Sequence, residues 1–150
     1  MSSSTASSFG DDAAHTRLLQ QFWQTLKAQA EALQGDSARH DEQFVGLREW
    51  DHAPEVFIRV GRSTAGQSHV IAMTIAPCIE SNHLAVRVYT IHIVNSASHV
   101  LPDESRRIRH DAAAGRFWIE GAPQDDVAKF FLDRAHALLL RALTSIEAND

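Results

Sequence analysis

Cysteine is almost absent, with Cys78 the only one in 150 residues. A single thiol excludes an intramolecular disulfide and a cysteine-built zinc site. It sits in "IAPCIES", at the end of an apolar run, and reads as a small half-buried residue; no base close in sequence marks it as a nucleophile. Long apolar runs are missing as well. No segment approaches the roughly 18 apolar residues a membrane helix needs. The opening "MSSSTASSFGDD" has neither Lys nor Arg nor an apolar centre, so no secretory signal and no membrane partner are expected. Lysine is scarce: Lys27 and Lys129 stand against twelve arginines. With abundant alanine, that bias reads as a GC-rich bacterial genome, and the expected setting is the cytoplasm. Excess positive charge is also lacking, since the formal net charge is -5. Non-specific nucleic-acid binding needs Lys and Arg to neutralise phosphates, so the balance argues against it.

What is present describes a globular chain. The apolar fraction of 44% and the charged fraction of 22% are ordinary for a packed domain of this length. Residues 1–11 are serine-rich and are expected to form a disordered tail, leaving 12–150 as a single domain. Leu18, Leu19, Phe22, Leu26, Ala30 and Leu33 recur at helical spacing; Asp11 or Asp12 is placed to cap that helix and Gly35 to end it. The polar segment 36–53 is interrupted by Phe44, Val45, Leu47 and Trp50, which predicts a short strand or helical turn near 43–49. "EVFIRVGR", "SHVIAMTIAP" and "HLAVRVYTIHIVN" alternate as strands, and "STAGQ" and "SN" are too short for crossovers. "SASHVLPDES" reads as a break. "RRIRHD" and "RFWIEG" then make a hairpin through "AAAG", with Gly115 supplying positive φ. Pro123 suits the first turn of a last helix whose apolar face holds Val127, Phe130, Phe131, Leu138, Leu139, Ala142, Leu143 and Ile146. The prediction is an α+β domain: N-terminal helix, antiparallel meander of about five strands, and a long C-terminal helix on one sheet face. That helix's wide apolar face also suits a homodimer.

The candidate chemistry is thin. "GRSTAG" lacks the pattern and the strand-to-helix context of a nucleophile elbow or a phosphate loop. Asp125 and Asp126 open a helix, where the dipole favours acid, and no catalytic carboxylate pair is evident. Nine histidines invite a metal, yet none shows zinc-site spacing. The nearest set, His40, Asp41, Asp51 and His52, is not compact in sequence, so neither a metal nor a cofactor is expected. His92 lies mid-strand on one face with Thr90, opposite Tyr89, and needs a hydrogen-bond partner.

In the hairpin, alternation assigns Ile108, Phe117 and Ile119 to packing and leaves Arg107, Arg109, Arg116 and Trp118 as partner-binding candidates, because Trp and Arg anchor interfaces. The first functional expectation is a non-enzymatic protein-interaction domain of adaptor, chaperone or immunity type, which binds another protein through its sheet or hairpin. The second is an apolar-ligand binder or enzyme with a pocket between sheet and C-terminal helix, lined by His92 and Thr90. The third is nucleic-acid binding through the arginine hairpin.

Overall fold

Alternating side chains and tight turns between them build one antiparallel sheet, and a helix at each end of the chain covers one of its faces. The computed structural model describes residues 2–37, 42–50, 53–64, 66–122 and 125–149, with side chains described except at 2–12, 35–37, 50, 64 and 145–149. In chain order the elements are α1 (Ser2–Ser37), β1 (Gln43–Trp50), β2 (Ala53–Thr64), β3 (Gln67–Glu80), β4 (His83–Val94), β5 (Ala97–Val100), β6 (Glu104–Asp111), β7 (Arg116–Ile119) and α2 (Val127–Asn149). The sheet runs β1-β2-β3-β4-β6-β7, with β5 also paired to β4. This is the α+β arrangement that the sequence predicts, with seven strands instead of five.

The turns follow from local backbone preference. Ser81 and Asn82 take φ of 49° and 63°, and Asn95 and Ser96 take 48° and 75°. Two consecutive left-handed residues match the twist of the strands they join, so β3 folds onto β4 and β4 onto β5. Gly115 closes the β6–β7 hairpin at φ 65°, as its place in "AAAG" predicts.

The two additional strands have separate causes. Residues 43–50 form β1, paired along its length with β2. β5 occupies part of the segment read as a break, and all four of its residues are exposed, so no apolar alternation announces it. The twelve-residue β4 serves two partners on one edge. Its Ile91–Val94 end pairs with β5 and its Ala85–Val88 portion pairs with β6. α1 is assigned from Ser2 and passes both Asp11 and Gly35, the predicted bounds. Glycine ends a helix by leaving helical φ; inside one it costs about 1 kcal/mol against alanine and need not stop it. Pro123 and Ile146 lie outside the residues whose side chains are described.

The core lies between the helices and the sheet face that they cover. α1 contributes Phe22, Leu26 and Ala30, α2 contributes Val127, Phe131, Ala135 and Leu139, and β2–β4 contribute side chains such as Ile58, Met73 and Val86, all buried. Phe22 meets Phe117 of β7 edge-on at 5.2 Å between ring centroids. Ile108, Phe117 and Ile119 are buried, as alternation predicts. At the other edge Trp23 donates to Glu49 (3.2 Å), and Lys27 pairs with the same carboxylate at 2.7 Å. These contacts with Lys27 and then Trp23 hold the Glu49 carboxyl below the usual range.

One side chain of α1 also starts α2. Gln29 Oε1 accepts from the amides of Val127 (3.0 Å) and Ala128 (3.2 Å), while its Nε2 donates to the Asp125 carbonyl. The first amides of a helix have no partner within it, and Val127 is fully buried, so water cannot replace the glutamine there. Asp126 caps the amide of Lys129 at 3.0 Å. Gln29→Ala is expected to cost about 1–2 kcal/mol, read in urea as a lower midpoint at unchanged slope. An unchanged midpoint would remove this cap from the account.

Candidate functional site

With both helices on one side, the opposite face of the sheet has no helix over it among the described residues, and cross-strand pairing places its side chains in rows. One row runs Phe44, Arg59, Ala72, Ile91 and Val100 across β1, β2, β3, β4 and β5. The next runs Gly46, Phe57, Thr74 and Tyr89. Of the four exposed large apolar or aromatic side chains among the described residues, Phe44 (57%), Tyr89 (37%) and Val100 (77%) stand in these two rows, and only Leu140 is elsewhere. β3 keeps the middle of the face low with Ala72, Thr74 and Ala76. Gly46 leaves the space that the Phe44 ring occupies, since a Cβ there would sit 2.8 Å from its Cε1. Two hollows of about 430 and 350 Å3 flank that ring and share Arg59 as a wall.

Arginines surround this apolar centre. Arg48, Arg59 and Arg87 are exposed on the same face, and the Arg48 guanidinium lies 4.3 Å from the centroid of Phe57. The hairpin continues the face toward the far edge. Arg107 and Arg109 are exposed on its outer side, and Trp118, the cross-strand partner of Arg109, is half-buried. Arg116 is exposed at the start of β7 and pairs with Asp125 at 3.3 Å. The four hairpin residues singled out in the sequence thus share a face with the apolar rows but sit at the opposite corner from Phe44. Their Trp is less open than Phe44. The Phe44-to-Val100 row was missed in the sequence because it forms only by pairing across five strands.

Thr90 and His92 do not meet in one cavity. Thr90 is buried and lines a shallow hollow of about 320 Å3 with Leu101, Pro102, Glu104, Arg134 and Leu138; His92 is not among its walls. The β3–β4 register is continuous, so Tyr89 and His92 lie on opposite faces. His92 instead joins a row of imidazoles on the helix-covered face. His92 Nε2 lies 3.2 Å from Nδ1 of the buried His69, whose Nε2 lies 3.2 Å from Gln67 Oε1. An amide oxygen only accepts, so His69 carries its proton on Nε2 and accepts from His92 Nε2–H. His99 stands across from His92, 6.4 Å between ring centroids. Among the described residues no group of three or more His, Cys, Asp or Glu could hold a metal ion. His40, Asp41, Asp51 and His52 lie outside the described residues.

Cys78 is half-buried on the open face, 3.7 Å from Glu80. Burial, and then the Glu80 carboxylate, pushes its thiol above the ordinary value, which suppresses the nucleophilic thiolate. No helix among the described residues is long and apolar enough to cross a membrane. In comparisons with known proteins, the chain matches no family model, no curated protein and no solved structure.

The imidazole row carries a pH dependence. Burial first, then the neighbouring His69 and His99, hold His92 below the ordinary histidine value. The unfolded chain therefore binds this proton more readily. The stability it contributes is present above the ordinary histidine value and is lost as pH falls through the depressed one. Denaturation midpoints should drop between about pH 7.5 and about pH 5.5, and His92→Gln should flatten that drop. Identical pH profiles for the two proteins would contradict this assignment.

Proposed function

We propose that this chain is a non-enzymatic protein-interaction domain, bacterial and cytoplasmic, that binds another protein on the open face of its sheet. The observation that carries the reading is the Phe44–Arg59–Ala72–Ile91–Val100 row. Apolar side chains left in water are a standing cost that burial against a partner removes, at roughly 25 cal/mol per Å2. An apolar centre bordered by arginine is the composition of a protein-binding patch, in which a few aromatic and arginine anchors dominate the energy. Arg48, Arg59 and Arg87 favour a partner segment whose apolar residues are flanked by acid. The hairpin arginines extend the same sign of charge toward β7. Against a catalytic reading stand the suppressed Cys78 thiol and the separation of Thr90 from His92.

The test pairs two variants with the wild type in capture from the native cell. Phe44→Asp with Val100→Asp places charge in the apolar row at exposed positions, so folding by circular dichroism should be unchanged. Arg109→Glu with Trp118→Ala alters the hairpin corner. The first pair is expected to lose a specific captured protein at least tenfold, the loss of about 1.4 kcal/mol or more. The second is expected to weaken capture without abolishing the fold. Capture undiminished by the first pair would overturn the reading, and capture of nucleic acid that falls steeply with salt would replace it.

A further inference from the structure

We infer that the docking site on the open face is a trough along β3, and that its occupant is an amphipathic α-helix of the partner with an acidic residue on each flank. The inference rests on the partner-binding reading above and names the shape and charge of what binds. Val70, Ala72, Thr74 and Ala76 of β3 form the floor and are half-buried. Phe57 and Arg59 of β2 stand along one side, and Arg87, Tyr89 and Ile91 of β4 along the other. The walls are two strand spacings apart, about 9.6 Å, roughly the width of a helix.

An extended segment needs backbone partners, which a sheet offers at its edges and not on its face. The middle of each terminal strand is covered. Gly61 N donates to the Glu42 carbonyl (2.8 Å), so in β1 the even-numbered residues bond to β2 and Val45 turns its amide and carbonyl outward; Val45 is buried. Glu120 N donates to the Arg107 carbonyl (2.9 Å), and the same alternation turns Phe117 and Ile119 outward from β7; both are buried. β5 leaves an edge open, over four residues. A helix arrives with its backbone bonds made within itself, as α1 and α2 do on the other face.

The charge on the walls fits one such helix. The chain carries a net charge of -5, yet Arg59 and Arg87 stand exposed on opposite walls. Among the described residues neither has an ion pair; the ion pairs there belong to Lys27, Arg106, Arg116 and Arg134. Of the acids on this face, Glu80 accepts from Ser105 Oγ at 2.9 Å, and Glu55 is the cross-strand partner of Arg48. Arg59 pairs with Ala72 and Arg87 with Ala76, which sets them about 13 Å apart along the trough. About nine residues of helix cover that length, and nine steps of about 100° end half a turn round. Two acids nine residues apart therefore lie on opposite flanks of one helix, each beside its own arginine, with the apolar stripe between them on the floor.

The probes are two fluorescent peptides of one composition and about 18 residues, about 27 Å long as a helix. In one, leucines recur at three- and four-residue spacing and two glutamates stand nine residues apart on the flanks. In the other the same residues alternate as in a strand. Binding to the full chain is read by anisotropy at about 0.15 M salt, where long-range attraction is screened. The helical peptide is expected to bind one to one, at least about tenfold tighter than the alternating one, and to gain helical circular dichroism. Arg59→Glu with Arg87→Glu, both exposed and so expected to leave folding intact, should weaken it at least about tenfold and should bind a lysine-flanked version more tightly than the wild type does. Arg107→Glu with Arg109→Glu makes the same charge change outside the trough and should leave the affinity within about threefold. Equal or tighter binding of the alternating peptide, no saturable binding of the helical one, or undiminished binding in the Arg59 and Arg87 variant would each overturn the assignment. If that happens while Phe44→Asp with Val100→Asp still loses native capture, the open-face reading stands and the helical occupant falls.

Discussion

Both helices pack on the same face of the sheet, and most of what distinguishes this molecule follows from that constraint. A sheet has two faces, and one layer of two helices closes one of them. The closed face collects the period-two apolar residues of β2, β3 and β4 together with Phe22, Leu26, Phe131 and Leu139, all buried. The open face must then meet water or another molecule. Gln29 holds the arrangement at its joint, because its side-chain amide ties α1 to the start of α2, nearly a hundred residues on. The two helices therefore act as a single cover for the sheet.

The open face is not simply a solvated one. A sheet with one face in water is expected to alternate apolar inside with polar outside. Here β3 carries Val70, Ala72, Thr74 and Ala76 outward, and β4 carries Tyr89, Ile91 and Ile93. Their arrangement, small in the centre, aromatic and aliphatic to either side and arginine at the margins, has the composition of a surface built to be covered. The same sheet thus holds a core on one face and the candidate interface on the other. The hairpin arginines stand at the margin of that interface.

Much of the fold could be read from the chain because its signals are local. Alternation in "EVFIRVGR", the Ser81–Asn82 turn and the positive φ of Gly115 are decided within a few residues, and so are the buried Ile108, Phe117 and Ile119. β5 escaped because a strand exposed at all four residues has no hydrophobic period. The helix bound at Gly35 was missed because a glycine permits termination without requiring it. The candidate surface was legible only in part. Arg107, Arg109, Arg116 and Trp118 were visible as a hairpin face. The row from Phe44 to Val100 draws single residues from five strands, and no window of sequence contains it. The meeting of His69 with His92 is likewise a product of register.

The central claim is that this protein works through the uncovered face of its sheet. A photo-crosslinking residue placed at Ala72, in the middle of that face, and another at the exposed Ala137 on the outer side of α2, would test it in the native cell. The account predicts a discrete crosslinked protein from position 72 and none from position 137. A discrete product from 137 with none from 72 would contradict it.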